Sequence, residues 1–179
     1  MRIISGLYKN RRIHFNHLPI RPTTNFAKES LFNLLNNHHD LTEITVLDLF
    51  AGSGSISYEF ISRGAKTTAV DQNIKCFNFM KTIKSKLDMK HFEIIFSKSI
   101  SYLKKTKEKY DVIFADPPYK YTQKKYDYLL QQIIHNKLLN NDGTIVIEHS
   151  KFITFDDNEY FFFKKKYGNV HFTFLKNER

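Results

Sequence analysis

Two periods of apolar and polar residues alternate along this chain, and the switches between them mark its elements. Ile44 to Phe50 is apolar but for Thr45 and Asp48, the pattern of a strand buried on both faces. Shorter runs of the same kind are Lys66 to Val70, Phe92 to Phe96, Tyr110 to Ala115 and Thr144 to Ile147. Between them the period lengthens to that of a helix. Ala27, Leu31, Leu34 and Leu35 share one helical face, and so do Ile56 and Phe60 in a helix starting at Ser55. Ile74, Phe77, Met80, Ile83 and Leu87 mark another helix, and Ser99 to Lys107 reads as one with a basic outer face. Tyr126, Leu129, Leu130, Ile133, Ile134 and Leu138 form a stripe that predicts a core helix. Strands alternating with helices predict an α/β fold around a mainly parallel, Rossmann-like sheet.

Punctuation residues sharpen the boundaries. Pro22 biases Arg21 towards an extended backbone, and Thr23 or Thr24 caps the helix that follows. Arg63-Gly64-Ala65 stops the second helix, and Asn141-Asp142-Gly143 reads as a turn. Two antiparallel hairpins are expected. One pairs Arg2 to Tyr8 with Arg12 to Leu18 around Lys9-Asn10-Arg11; the other pairs Tyr160 to Lys165 with Asn169 to Leu175 around Gly168. There is no internal repeat and no second large domain, so 1–22 reads as an extension and 23–179 as the domain proper.

Composition changes the picture in one respect. The 179 residues carry a net charge of +10, which favours a polyanionic partner. The charge is uneven: residues 1–28 hold Arg2, Lys9, Arg11, Arg12, Arg21 and Lys28 before the first acid, Glu29. Cys76 is the single cysteine, which excludes an internal disulfide and a cysteine-based metal cluster and fits a reducing cytoplasm. The basic N-terminus does not resemble a signal peptide, and no apolar run has the length of a membrane span. His38 and His39 are adjacent at a helix end and point differently, so no metal site is expected.

The first candidate chemistry lies in Val46-Leu47-Asp48-Leu49-Phe50-Ala51-Gly52-Ser53-Gly54. Strand, glycine turn and helix form the geometry of a nucleotide-type cofactor site, where glycine lets backbone N–H groups approach a ligand. A dinucleotide fingerprint would place a third glycine at Ser57. Asp48 would repel a pyrophosphate but suits an ammonium group, so the pattern leans to S-adenosylmethionine (SAM) over NAD. Asp71, at the end of the second strand, is placed either to hold a ribose diol or to cap the next helix.

Asp116-Pro117-Pro118-Tyr119 is the most specific motif, and it falls at the carboxyl end of the fourth strand. In an open α/β sheet that end faces the same crevice as Asp48. An exocyclic amine on a base is a poor nucleophile because its lone pair is delocalised. A carboxylate and a carbonyl accepting its two N–H bonds favour a pyramidal, reactive nitrogen, and Asp116 with the Pro117 carbonyl suits that task. Tyr119 offers a ring for a flipped-out base, worth roughly 1–3 kcal/mol. A carboxylate only accepts hydrogen bonds, which matches the neighbouring N1–H and N2 amine of guanine better than the edge of adenine. Adenine-N6 methylation and a non-catalytic RNA-binding module are the alternatives.

At these residues the sequence resembles the RsmD family, the bacterial 16S ribosomal RNA guanine-N2 methyltransferases. The resemblance is carried by Arg2-Ile3-Ile4-Ser5-Gly6, Arg21-Pro22-Thr23-Thr24, Glu29-Ser30-Leu31-Phe32-Asn33 and Leu47-Asp48-Leu49-Phe50-Ala51-Gly52-Ser53-Gly54. It continues through Glu59, Ser62-Arg63-Gly64-Ala65, Asp116-Pro117-Pro118-Tyr119 and Ile147-Glu148. It implies a seven-stranded class I SAM-dependent methyltransferase with an N-terminal hairpin that helps hold RNA. The implied cofactor set is Asp48, Ala51, Gly52, Ser53 and Gly54 around the methionine part, with Asp71, Gln72 and Ser99 beyond it. The implied catalytic set is Asp116, Pro117 and Tyr119; Arg2, Arg11, Arg12, Arg21, Thr23 and Tyr119 would contact substrate. The expected partner is 16S rRNA in an assembling or assembled small subunit, with the protein acting as a cytoplasmic monomer.

Two departures from the family pattern stand out. Asn25 and Lys28 replace the usual Asp and Arg, which is expected to weaken a local ion pair. Lys98, a donor only, stands where an acceptor for the SAM adenine amine is usual, leaving Ser97, Ser99 or a backbone carbonyl to serve.

Overall fold

A computed structural model describes residues 1–15, 18 and 24–176. Its centre is a seven-stranded sheet of order β3-β2-β1-β4-β5-β7-β6. β1 (Thr45–Leu49), β2 (Lys66–Asp71), β3 (Phe92–Phe96), β4 (Tyr110–Ala115) and β5 (Leu139–His149) run parallel. β6 (Phe161–Tyr167) and β7 (Val170–Lys176) form the expected closing hairpin around Gly168, with β7 antiparallel to β5.

Helices cover both faces, as buried parallel strands require. α1 (Asn25–Asn36) and α2 (Ser55–Ser62) are in chain order the first two, followed by α3 (Ile74–Lys86), α4 (Ser99–Leu103) and α5 (Gln123–His135). One core layer joins Leu47, Leu49, Ile113 and Ile147 to the α5 stripe of Tyr126, Leu129, Leu130 and Ile133. The other joins Val46, Val112, Phe114 and Val146 to Ala27, Leu31, Phe32 and Leu35 of α1. Thr24 caps α1 by accepting the Ala27 N–H at 3.2 Å.

Three expectations need correction. The N-terminal segment is closed by a single antiparallel bridge, Arg2 to Arg12, instead of two full strands. The reason is Gly6, at φ +82°, after which the Leu7 N–H donates to the Ser62 carbonyl of α2 at 2.6 Å and leaves the hairpin ladder. The far end of that expected hairpin, with Arg21, Pro22 and Thr23, lies outside the described residues. Next, Asn141-Asp142-Gly143 does not end an element but forms a bulge inside β5. Five steps from Leu139 to Thr144 match two steps from Tyr110 to Val112, and Asp142 takes φ +61°. Finally, α4 stops at Leu103, because Lys104-Lys105-Thr106-Lys107 offers no further apolar side chain to bury.

The arm packs on α2, so all eight residues of that helix are buried. Ile3 and Ile13 join Tyr58 and Ile61 in a third apolar cluster. At its centre is Glu59, which is fully buried. It receives Lys28 Nζ at 3.0 Å, Arg63 Nη1 at 2.6 Å and the Ile4 N–H at 3.0 Å. Lys28 Nζ also donates to the Arg2 carbonyl at 3.1 Å, and Arg63 lies 4.2 Å from the Phe32 ring centre. Lys28 therefore makes a buried ion pair with Glu59 and does not face solvent.

Candidate active site

The strand order reverses between β1 and β4, so the crevice at their carboxyl ends has no connection crossing it. A cavity of about 360 Å³ opens there. Asp48, Ala51, Gly52 and Ser53 line it from the β1 turn, Asp71 and Gln72 from the end of β2, and Ser99 from the start of α4. Asp116, Pro117 and Tyr119 close it from β4. The predicted cofactor and catalytic sets thus meet in one cavity, with Gly54 as the exception. Gly54 is buried behind the turn at φ +80°, where a Cβ would stand 2.7 Å from Tyr58 Cζ; it shapes the turn without reaching the cavity.

The turn is held by its own backbone and by carboxylates. The Gly54 N–H donates to the Ala51 carbonyl at 2.8 Å, and the Ala51 N–H to Val70 at 3.1 Å. Phe50 adopts φ +64°, rare for a bulky side chain, at the point where strand gives way to turn. Asp71 accepts the Gly52 N–H and the Asn73 N–H, both at 2.7 Å, which ties the β1 and β2 turns together. Asp48 accepts the Ser57 hydroxyl, so the position of the missing third glycine has a role of its own.

Electrostatics distinguish this cavity. Ion pairs among the described residues are Lys28–Glu59, Arg63–Glu59 and Lys164–Asp156, none of which involves Asp48, Asp71 or Asp116. Burial, with the nearby charges of Asp116 and Asp71, pushes Asp48 up to about 7 despite the Ser57 hydrogen bond. Burial raises Asp116 as well. The cavity-lining Ser55 hydroxyl is buried without a hydrogen-bond partner. An acidic floor, a free hydroxyl and, among the described residues, no cation lining the cavity fit a cationic ligand with hydroxyl groups and oppose a pyrophosphate.

Other expected residues fall elsewhere. Lys98 is exposed and does not line the cavity, whereas the adjacent Ser99 does, so the donor-only lysine leaves the site unobstructed. Arg2, Arg11 and Arg12 are exposed on the arm over α2; Arg21 and Thr23 lie outside the described residues. Tyr119 is 68% exposed at the rim. Sequence reasoning missed Ser55 and Phe114, although Ser55 opens the helix directly after the glycine turn. His39 shares a 2.9 Å hydrogen bond with Thr144, and His38 packs on Phe162 and Phe163.

Comparisons with known proteins bear on the family and the fold. The family model described as conserved hypothetical protein 95 matches residues 1–176. A Buchnera aphidicola protein named ribosomal RNA small subunit methyltransferase D is 37% identical, over 99% of this chain and 92% of its own. The Escherichia coli protein yhhF superposes with a TM-score of 0.85 at 25% identity, covering 99% of this chain and 98% of that one. Coclaurine N-methyltransferase, solved with N-methylheliamine and SAH, shares the fold at a TM-score of 0.58 and 20% identity, over 72% of this chain and 36% of its own. With full-length similarity and an intact Asp116-Pro117-Pro118-Tyr119 motif, the chain belongs to the RsmD family of ribosomal RNA small subunit methyltransferases.

Proposed function

We propose that this protein transfers a methyl group from SAM to the exocyclic N2 amine of one guanine in 16S rRNA, within an assembling or assembled small subunit. The observation that carries the reading is the convergence of Asp48, Asp71 and Asp116 on one cavity at the carboxyl ends of β1, β2 and β4. Asp48 and the Ala51 to Gly54 turn would hold the amino-acid end of the cofactor, and Asp71 with Gln72 the ribose. Ser99, which lines the cavity, would accept from the adenine amine. Bound there, SAM supplies an electrophilic methyl group.

The chain's own residues prepare the nucleophile. The Asp116 carboxylate and the Pro117 carbonyl accept the two N–H bonds of the amine, localising its lone pair. Asp116 then takes the released proton, directly or through water, and its raised affinity for protons suits it to the task. Tyr119 stacks on the base, which must leave its own stack to reach the cavity. Adenine-N6 methylation is less well served, because Asp116 cannot donate to the adenine N1. A methyl-transfer assay with nucleoside analysis of the RNA tests the reaction.

The carboxylates imply a pH signature. Asp48 is protonated up to about 7 without ligand, whereas a cationic ligand binds the ionised form. Affinity for SAM is expected to rise about tenfold from pH 5.5 to 7 and then to level off, since an α-ammonium group itself loses its proton near pH 8. Calorimetry should register proton release on binding in that window; a flat affinity with no release would remove Asp48 from the ligand.

Exposed Arg2, Arg11 and Arg12 support residues 1–22 as the proposed RNA grip, with Arg21 and Thr23 as further proposed substrate contacts. Replacing Arg11 and Arg12 by Ala is expected to weaken RNA binding and to reduce its log–log salt slope by about 1.5. An unaltered slope would assign the grip to another surface. Among the described residues no helix is long and apolar enough to cross a membrane; a cytoplasmic monomer acting on the particle is the proposed form.

A further inference from the structure

A third carboxylate stands beside the proposed base site. In the sheet register Ala115 of β4 pairs with Ile147 of β5, so Asp116 and Glu148 follow at the same level on neighbouring strands, about 5 Å apart. They also share a face. Val46, Val112, Phe114 and Val146 point into the α1 layer, and alternation along each strand puts Asp48, Asp116 and Glu148 on that same side. On the other neighbour, Glu148 pairs with Phe172, itself in the α1 layer. Glu148 is only 6% exposed.

Asp116, Pro117, Tyr119, Glu148 and Asn169 line a recess next to the main cavity. It holds about 10 Å³, room for one water, so a polar edge can enter it but a whole ring cannot. The Tyr126 hydroxyl reaches the Glu148 carbonyl at 3.5 Å and ties the end of β5 to α5.

We propose that Glu148 is a specificity-determining residue that accepts the N1–H of the target guanine while Asp116 accepts from its N2 amine. The inference rests on the guanine-N2 reading above. Guanine presents two adjacent donors at N1 and N2, and paired carboxylates match them. A base with an acceptor at N1 brings a lone pair against the Glu148 carboxylate and is rejected. Sites built on a buried polar match discriminate far more strongly than apolar pockets do.

The test uses small-subunit particles reconstituted with 16S rRNA that carries 2-aminopurine at the methylated position, which keeps the N2 amine but turns N1 into an acceptor. The wild-type protein should methylate it with a kcat/KM at least about 100-fold below that for guanine. Glu148→Gln, whose amide donates to an acceptor N1, should lose about 10–100-fold on guanine and bring the two bases to within about tenfold of each other. Glu148→Ala should lose activity on guanine and also narrow the gap between the bases, because the repulsion on an acceptor N1 leaves with the carboxylate, but without the gain on 2-aminopurine that a donating Gln supplies. SAM affinity measured by calorimetry serves as the folding control for both variants.

Equal wild-type rates on the two bases would overturn the inference even if neither variant folds. So would a guanine preference in a folded Glu148→Gln protein as strong as in the wild type. A wild-type protein that makes no N2-methylguanosine would instead overturn the underlying reading of the reaction.

Discussion

Asp116→Ala lowers turnover by about 10²–10³-fold while leaving the dissociation constant of SAM within about threefold. The separation follows from geometry. Asp116 closes the cavity from β4, on the side of Pro117 and Tyr119, whereas the ligand's cationic end is assigned to Asp48 and the β1 turn. Removing the carboxylate strips the amine of one of its two acceptors and of its proton acceptor, but leaves the Gly52–Asp71 scaffold intact. It also relieves repulsion on Asp48, whose proton affinity is raised in part by Asp116. The variant should therefore bind SAM at slightly lower pH than the wild type. Single-turnover rates and calorimetry on one preparation check both halves; an undiminished rate would take Asp116 out of the mechanism.

The second large effect concerns stability. Glu59→Ala removes the anion that, among the described residues, neutralises Lys28 and Arg63 and accepts the Ile4 N–H. Lys28 is 1% exposed, so the change strands a buried ammonium whose remaining acceptor among the described residues is the Arg2 carbonyl. Losses of about 3–5 kcal/mol are typical when one partner of a buried pair is removed. The same change unties the arm from α2. Urea unfolding should show the loss, and hydrogen exchange should show the Ile4 amide deprotected even where the sheet stays folded. A loss below about 1 kcal/mol would mean that apolar packing of Ile3 and Ile13 alone holds the arm.

This anion also marks where the sequence was hard to read. Lys28 falls in the acid-free basic stretch of residues 1–28, which by itself reads as a solvent-facing charge. Its spacing from Leu31, Phe32 and Leu35 puts it on the buried stripe of α1, and Glu59 sits between the buried Tyr58 and Phe60. A cation and an anion on two apolar helix faces signal a pair, but only once α1 and the arm are known to meet α2. The site itself was more legible, because strand ends at a switch point must share a crevice. Asp48, Asp71 and Asp116 could thus be brought together from strand order alone. The arm was less so: whether the Leu7 N–H bonds across a hairpin or to Ser62 is a tertiary choice that local pattern does not encode. The bulge in β5 is similar, since Asn141-Asp142-Gly143 turns locally while its neighbours Leu139 and Thr144 both pair with β4.

The most direct test of the whole account is methyl transfer from labelled SAM to small-subunit particles lacking the modification, followed by nucleoside analysis. The account predicts N2-methylguanosine at a single position of the 16S rRNA. N6-methyladenosine as the product, or no transfer to particles by protein that binds SAM, would contradict it.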